Sequence, residues 1–116
     1  MSENIIREKT YQFALKVVLA CKELFNQKEF ILSKQVLRSA TSIGANVEEG
    51  VQGQSKPDFI HKFSIAQKEA FETHYWLRLL RDSGYINKES AYHLLADCEE
   101  IQKIITAILK TSKLNR

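Results

Sequence analysis

The sequence predicts an all-α fold, an up-down-up-down antiparallel four-helix bundle, and three observations carry that prediction. Proline occurs once and glycine four times in 116 residues, too few for a sandwich or barrel built on tight turns. Hydrophobic residues make up 44% and charged residues 27%, the balance of a globular chain rather than a disordered one. Apolar residues then recur at three- and four-residue steps in four successive segments, the period of a helix that buries one face. With no repeat or linker to divide it, residues 1–116 form one domain large enough for its own core.

The first helix is expected from about Asn4 to Gln27, with Ile6, Thr10, Phe13, Val17, Cys21 and Leu24 as its buried stripe. In the second, Val36, Ala40, Ile43 and Val47 keep the same rhythm. Ser33 is its candidate N-cap, since a hydroxyl there can accept from a free N–H of the first turn. Gly50 to Gly53 should close it, because glycine enters the left-handed conformation freely. The third begins at Ser55-Lys56-Pro57-Asp58, which supplies a cap, an early proline and a first-turn acid. Its stripe is Phe59, Phe63, Ala66, Ala70, Leu77 and Leu80, and Ser83-Gly84 stops it. Asn87 caps the fourth, whose stripe is Ala91, Leu94, Leu95, Cys98, Ile101, Ile105 and Ile108. Short connections make successive helices antiparallel.

Two of these helices carry more apolar surface than a monomeric bundle needs. Tyr11, Leu15, Val18 and Phe25 form a second seam on helix one, roughly 120–160° from its core line. Ile60, Phe71 and Tyr75 do the same on helix three, with Ser64 in line. Helix four is conventional, with Tyr92, Glu99, Lys103 and Lys110 opposite its stripe. Monomers rarely leave contiguous apolar faces in water, so the seams predict self-association, although a wide, bulky core is the alternative.

Helix two adds a different signal. Its stretch Ser39 to Gly50, SATSIGANVEEG, gives most of its surface to small and polar residues despite an interior glycine that costs roughly 1 kcal/mol against alanine. Arg38, Ser42, Ala45 and Glu49 share one side. Small side chains admit a neighbouring helix, and Ser42 and Asn46 can bond across such a contact. The same two residues could equally bond within their own helix.

The remaining chemistry is sparse. A net charge of +3 and a pI near 8.9 fit plain solubility as well as a polyanionic partner. No signal peptide opens the chain and no run reaches the roughly 18 apolar residues of a membrane span. Cys21 and Cys98 lie on apolar stripes and read as buried thiols of a reduced cytoplasm. Glu89, His93 and Asp97 follow at four-residue steps but point away from the core, as a solvated face does. Glu48, Glu49, Glu69, Glu72 and His74 are the nearest approach to an active-site carboxylate set, and ion pairing with Arg38, Lys68 or Arg78 is their ordinary explanation. No phosphate-binding glycine motif is present. Neither an enzyme nor a cofactor or metal is expected.

The run Gln35-x-x-Arg38-x-Ala40-x-Ser42-Ile43-x-Ala45-Asn46-x-x-Glu49-Gly50 resembles the signature of the bacterial four-helix bundle proteins known as 23S rRNA intervening-sequence-encoded proteins. The resemblance covers nearly the whole chain. It departs at Gly44, where many members have proline, and at Val51 to Lys56, which lacks an arginine common there. The resemblance implies a homopentamer of bundles around a central axis. It also implies kinship with the accessory variability proteins of diversity-generating retroelements, which bind nucleic acid through basic surface. On that footing the expected function is a cytoplasmic, non-enzymatic homo-oligomer that scaffolds RNA, DNA or a nucleoprotein partner. Tyr11, Leu15, Val18, Phe25, Arg38, Ser42, Ala45, Asn46, Glu49, Ile60, Phe71 and Tyr75 are its candidate subunit contacts. Lys103, Lys110, Lys113 and Arg116 are its candidate nucleic-acid contacts. A module that docks a different protein, with no nucleic-acid role, is the alternative.

Overall fold

A computed structural model describes residues 2–115, and Arg116 lies outside them. Four helices follow one another: α1 (Ser2–Asn26), α2 (Leu32–Val51), α3 (Lys56–Asp82) and α4 (Lys88–Leu114). Each packs on its chain neighbour, and α4 returns to α1, while the diagonal pairs stay apart. The result is an up-down-up-down bundle with extents of 47 × 21 × 19 Å.

The core is assembled from the stripes. Ile6, Phe13, Val17, Cys21 and Leu24 of α1 meet Val36, Ala40, Ile43 and Val47 of α2, all almost fully buried. Phe63, Ala66, Ala70, Leu77 and Leu80 of α3 and Ala91, Cys98, Ile101 and Ile105 of α4 complete the core. Thr10 is buried too, its hydroxyl donating to the Ile6 carbonyl at 2.8 Å. Phe59 is only partly buried and stacks on Phe63, with ring centroids 4.2 Å apart. Ile108 is likewise partly covered, and Leu109 takes the inward position instead. A buried hydroxyl pair, Ser39 and Thr73, ties α2 to α3 at 2.8 Å. Both cysteines are free and buried. Burial pushes the Cys21 thiol up to about 11, aided by nearby Glu29, and the Cys98 thiol up to about 12. Neither is a ready nucleophile at neutral pH.

Two of the three expected caps hold. Ser55 accepts from the Asp58 N–H and Asn87 from the Ser90 N–H. Gly84 follows α3 with φ +85°, the left-handed conformation that ends a helix. Ser33, however, is not the cap of α2. The helix starts at Leu32, so Ser33 already lies in its first turn and donates its hydroxyl back to the Glu29 carbonyl at 2.6 Å. The carboxylate of Glu29 does the capping. It accepts from the N–H groups of Ile31, Leu32 and Ser33 at 3.2, 3.1 and 2.7 Å. Lys28, at φ 64°, turns the chain so that Glu29 can reach them.

The interior glycine of α2 also finds an account. A Cβ added at Gly44 would come no closer than 3.5 Å to Thr10 Oγ1, ordinary contact. Nothing inside the chain therefore requires glycine there. A Gly44→Ala variant is expected to gain up to about 1 kcal/mol from helix propensity, read as a higher denaturation midpoint. A loss of stability would mean that the site is needed bare by something outside the chain.

Candidate assembly and nucleic-acid surfaces

Ion pairs on the rims establish which way each helix faces. Lys9 and Lys16 of α1 reach Glu100 and Asp97 of α4 at 3.2 and 2.8 Å. On its other side, Arg7 pairs with Glu48 of α2 at 2.9 Å. Arg38 of α2 bonds Glu69 and Glu72 of α3, and Lys62 of α3 reaches Glu49 at 2.9 Å. On the far side of α3, His74 bonds Glu99 of α4 at 2.8 Å and the Gln67 amide donates to the Thr106 hydroxyl at 2.9 Å. Exposed pairs of this sort are each worth about 0–1 kcal/mol, so they report orientation more than they supply stability.

Set in that frame, the predicted seams fall on opposite sides of the bundle. Tyr11, Leu15 and Val18 are exposed on the α2-facing side of α1, Tyr11 by 63%. Phe25 is partly buried and stacks on exposed Phe30 at 5.9 Å, which lengthens the seam toward the α1–α2 turn. Beside them a crevice of about 240 Å³ is floored by Gly44 and Thr41, with Ala45 on its edge. Leu19 and Ile31, both exposed, were not legible as seam members. Leu19 follows Leu15 by four residues, which is the signal that identifies it; Ile31 lies outside any helical period. Across the bundle, on the outer side of α3 toward α4, Phe71 and Tyr75 are 57% and 48% exposed, with Ile60 half-buried in the same row. Arg78 lies over the Tyr75 ring, 5.8 Å from its centroid.

The polar members of α2 are occupied within the chain. The Asn46 amide donates to the Ser42 carbonyl and hydroxyl at 2.8 and 3.0 Å, so these two bond within their own helix. Arg38 and Glu49 hold the ion pairs given above. Glu72 also accepts from the Trp76 indole at 2.9 Å. That bond lowers its pKa against the opposing effect of burial, and Arg38 adds to it. Hence the acidic set does not gather in one cleft: Glu48 faces Arg7, Glu49 faces Lys62, and Glu69 and Glu72 share Arg38. Glu89 and His93 are exposed, while Asp97 is held by Lys16. Among the described residues, no three His, Cys, Asp or Glu side chains are grouped to hold a metal, and no helix is long and apolar enough to cross a membrane. Lys103, Lys110 and Lys113 are all exposed on α4.

These features define the class: an all-helical four-helix bundle whose polar residues clasp the helix rims rather than gather in one cleft. The profile of the 23S rRNA-intervening sequence protein family matches residues 2–107, and the chain belongs to that family. It is also similar to the crystal structure of a protein with unknown function from the S23 ribosomal protein family of Bacteroides thetaiotaomicron VPI-5482. The two share 49% sequence identity and a TM-score of 0.92, over 95% of this chain and 99% of the other. No curated protein matches the chain.

Proposed function

We propose that the protein is a non-enzymatic, cytoplasmic homo-oligomer that serves as a scaffold for nucleic acid or a nucleoprotein partner. The observation that carries self-assembly is the pair of apolar faces on opposite sides of one bundle. A two-fold dimer apposes like patches and would leave one of the two faces in water. A head-to-tail contact buries the α1/α2 face of one copy against the α3 face of the next, and repeated rotation closes a ring. Five copies is the number that the family resemblance implies. The small residues Ala45 and Gly44 beside the seam suit such a contact, because they let a neighbour's aromatic side chains come close.

Charge supports the second half of the reading. Five protomers of +3 give about +15, enough to hold phosphate backbones without sequence preference at low salt. Light scattering on the wild type and on Leu15→Glu tests both halves when repeated with mixed RNA and DNA at low and high salt. The wild type is expected to run as a pentamer that binds the pool and releases it in salt, and the variant as a 13.4 kDa protomer. A monomeric wild type would instead favour a seam that docks a different protein.

A further inference from the structure

The fourth helix sorts its charges by side. Glu89, His93, Asp97 and Glu100 follow at steps of three and four and lie toward α1, where Lys16 and Lys9 neutralise the last two. The other side reads Lys88, Tyr92, Glu99, Lys103, Thr106, Lys110 and Lys113, again at steps of three, four or seven, which is one continuous row on a helix. Its sole carboxylate, Glu99, is already bonded to His74. Among the described residues none of its lysines forms an ion pair, although Lys88 lies near enough to Asp82 to favour its ionised form. The row spans about 38 Å at 1.5 Å per residue. Tyr92, 69% exposed, stands over a crevice of about 540 Å³ whose walls include Arg81, Lys88 and buried Leu95. The row shares no residue with the α1 and α3 seams, although it borders the α3 seam, since His74 and Gln67 of α3 bond Glu99 and Thr106 within it.

We infer that this row is a track for single-stranded nucleic acid, with phosphates along Lys88, Lys103, Lys110 and Lys113 and a base stacked on Tyr92. The inference rests on the scaffold reading above and narrows it to one face and one form of ligand. Lysines can follow the backbone of either a single strand or a duplex. An exposed tyrosine ring beside an apolar-floored crevice has use only for a base that is free of its pair, since a duplex hides its base faces. Of the two cations on the crevice walls, Arg81 is bonded to Asp82 at 2.7 Å, so Lys88 would meet the phosphate of the stacked nucleotide.

The test uses the whole chain, a fluorescently labelled mixed-sequence RNA 20-mer, and the same 20-mer annealed to its complement. Tyr92→Ala is expected to weaken single-strand binding about 10-fold and to leave duplex binding unchanged. Replacing Lys103, Lys110 and Lys113 together by Gln should lower the slope of log affinity against log salt by about 2 for the single strand. The control replaces Lys22, Lys28 and Lys34, all exposed around the α1–α2 turn, by Gln and so removes the same charge elsewhere. Equal losses in the two triple variants would overturn the track, because binding would then follow net charge alone. Equal loss of single strand and duplex in Tyr92→Ala, or no loss in either, would overturn base stacking. If the wild type binds neither RNA at low salt, the scaffold reading itself fails along with the track.

Discussion

A Phe63→Ala variant is expected to lose about 3–5 kcal/mol of folding stability, the usual cost of deleting a buried phenyl ring. Phe63 is fully buried and stacks on Phe59. Its ring also presses on the end of α2, where Gly50 supplies the space. A Cβ built on Gly50 would sit 2.8 Å from Cδ1 and 2.9 Å from Cε1 of Phe63, inside van der Waals contact, with the Lys62 Cβ at 3.1 Å. Gly50→Ala therefore gains the propensity of alanine, about 1 kcal/mol, but must displace a fully buried ring. Overpacking of this kind costs about 1–3 kcal/mol, and the net effect is destabilising. The two changes should not add. Once Phe63 is alanine the clash with the ring is gone and only the Lys62 Cβ contact at 3.1 Å remains, so Gly50→Ala on that background costs less and approaches neutral. Denaturation midpoints of the four proteins, taken at one protomer concentration because assembly shifts apparent stability, form the cycle. Additivity within about 0.5 kcal/mol would mean that the glycine answers to something other than this ring.

That glycine illustrates what periodicity can and cannot convey. The buried stripes were legible because each helix must turn one face inward, and Ile6 to Leu24 or Val36 to Val47 needs only a count of threes and fours. The slip from Ile108 to Leu109 has the same origin. Over 27 residues a seven-residue step drifts by about 20° per heptad against a helix of 3.6 residues per turn, and the inward position moves on by one. Partners across the bundle were not legible. Arg38 meets Glu69 and Glu72 at sequence separations of 31 and 34, which follow from how α2 and α3 are set side by side. The seams were visible as surplus apolar residues on α1 and α3, but their opposite placement belongs to topology. The sorting of charge on α4 was present in the spacing throughout. It acquired meaning only when Lys9, Lys16 and His74 showed which side of α4 faced which neighbour.

Glu29 is the second position where a large effect is expected, and here pH is the probe. Its carboxylate closes three of the free N–H groups at the start of α2, beside a turn held at Lys28. Glu29→Ala leaves those donors without a protein partner and should cost about 1–2 kcal/mol, the range of lost helix caps. Burial alone would push the carboxyl above its ordinary value. The bonds from the Leu32, Ser33 and Ile31 N–H groups outweigh that and hold it below. The ionised form is thus the one that stabilises the fold. Because the folded value lies under the unfolded one, near 4.3, the contribution is complete above about pH 4.3 and fades as pH falls through the folded value. Glu29→Gln keeps the size and one acceptor oxygen but cannot ionise. The stability gap between wild type and Glu29→Gln should accordingly be flat from pH 7 to about 5 and narrow in more acid solution. A gap that stays constant through the acid range would show that the cap acts through shape and neutral hydrogen bonding. The turn between α1 and α2 would then owe its geometry to the Phe25–Phe30 stack instead.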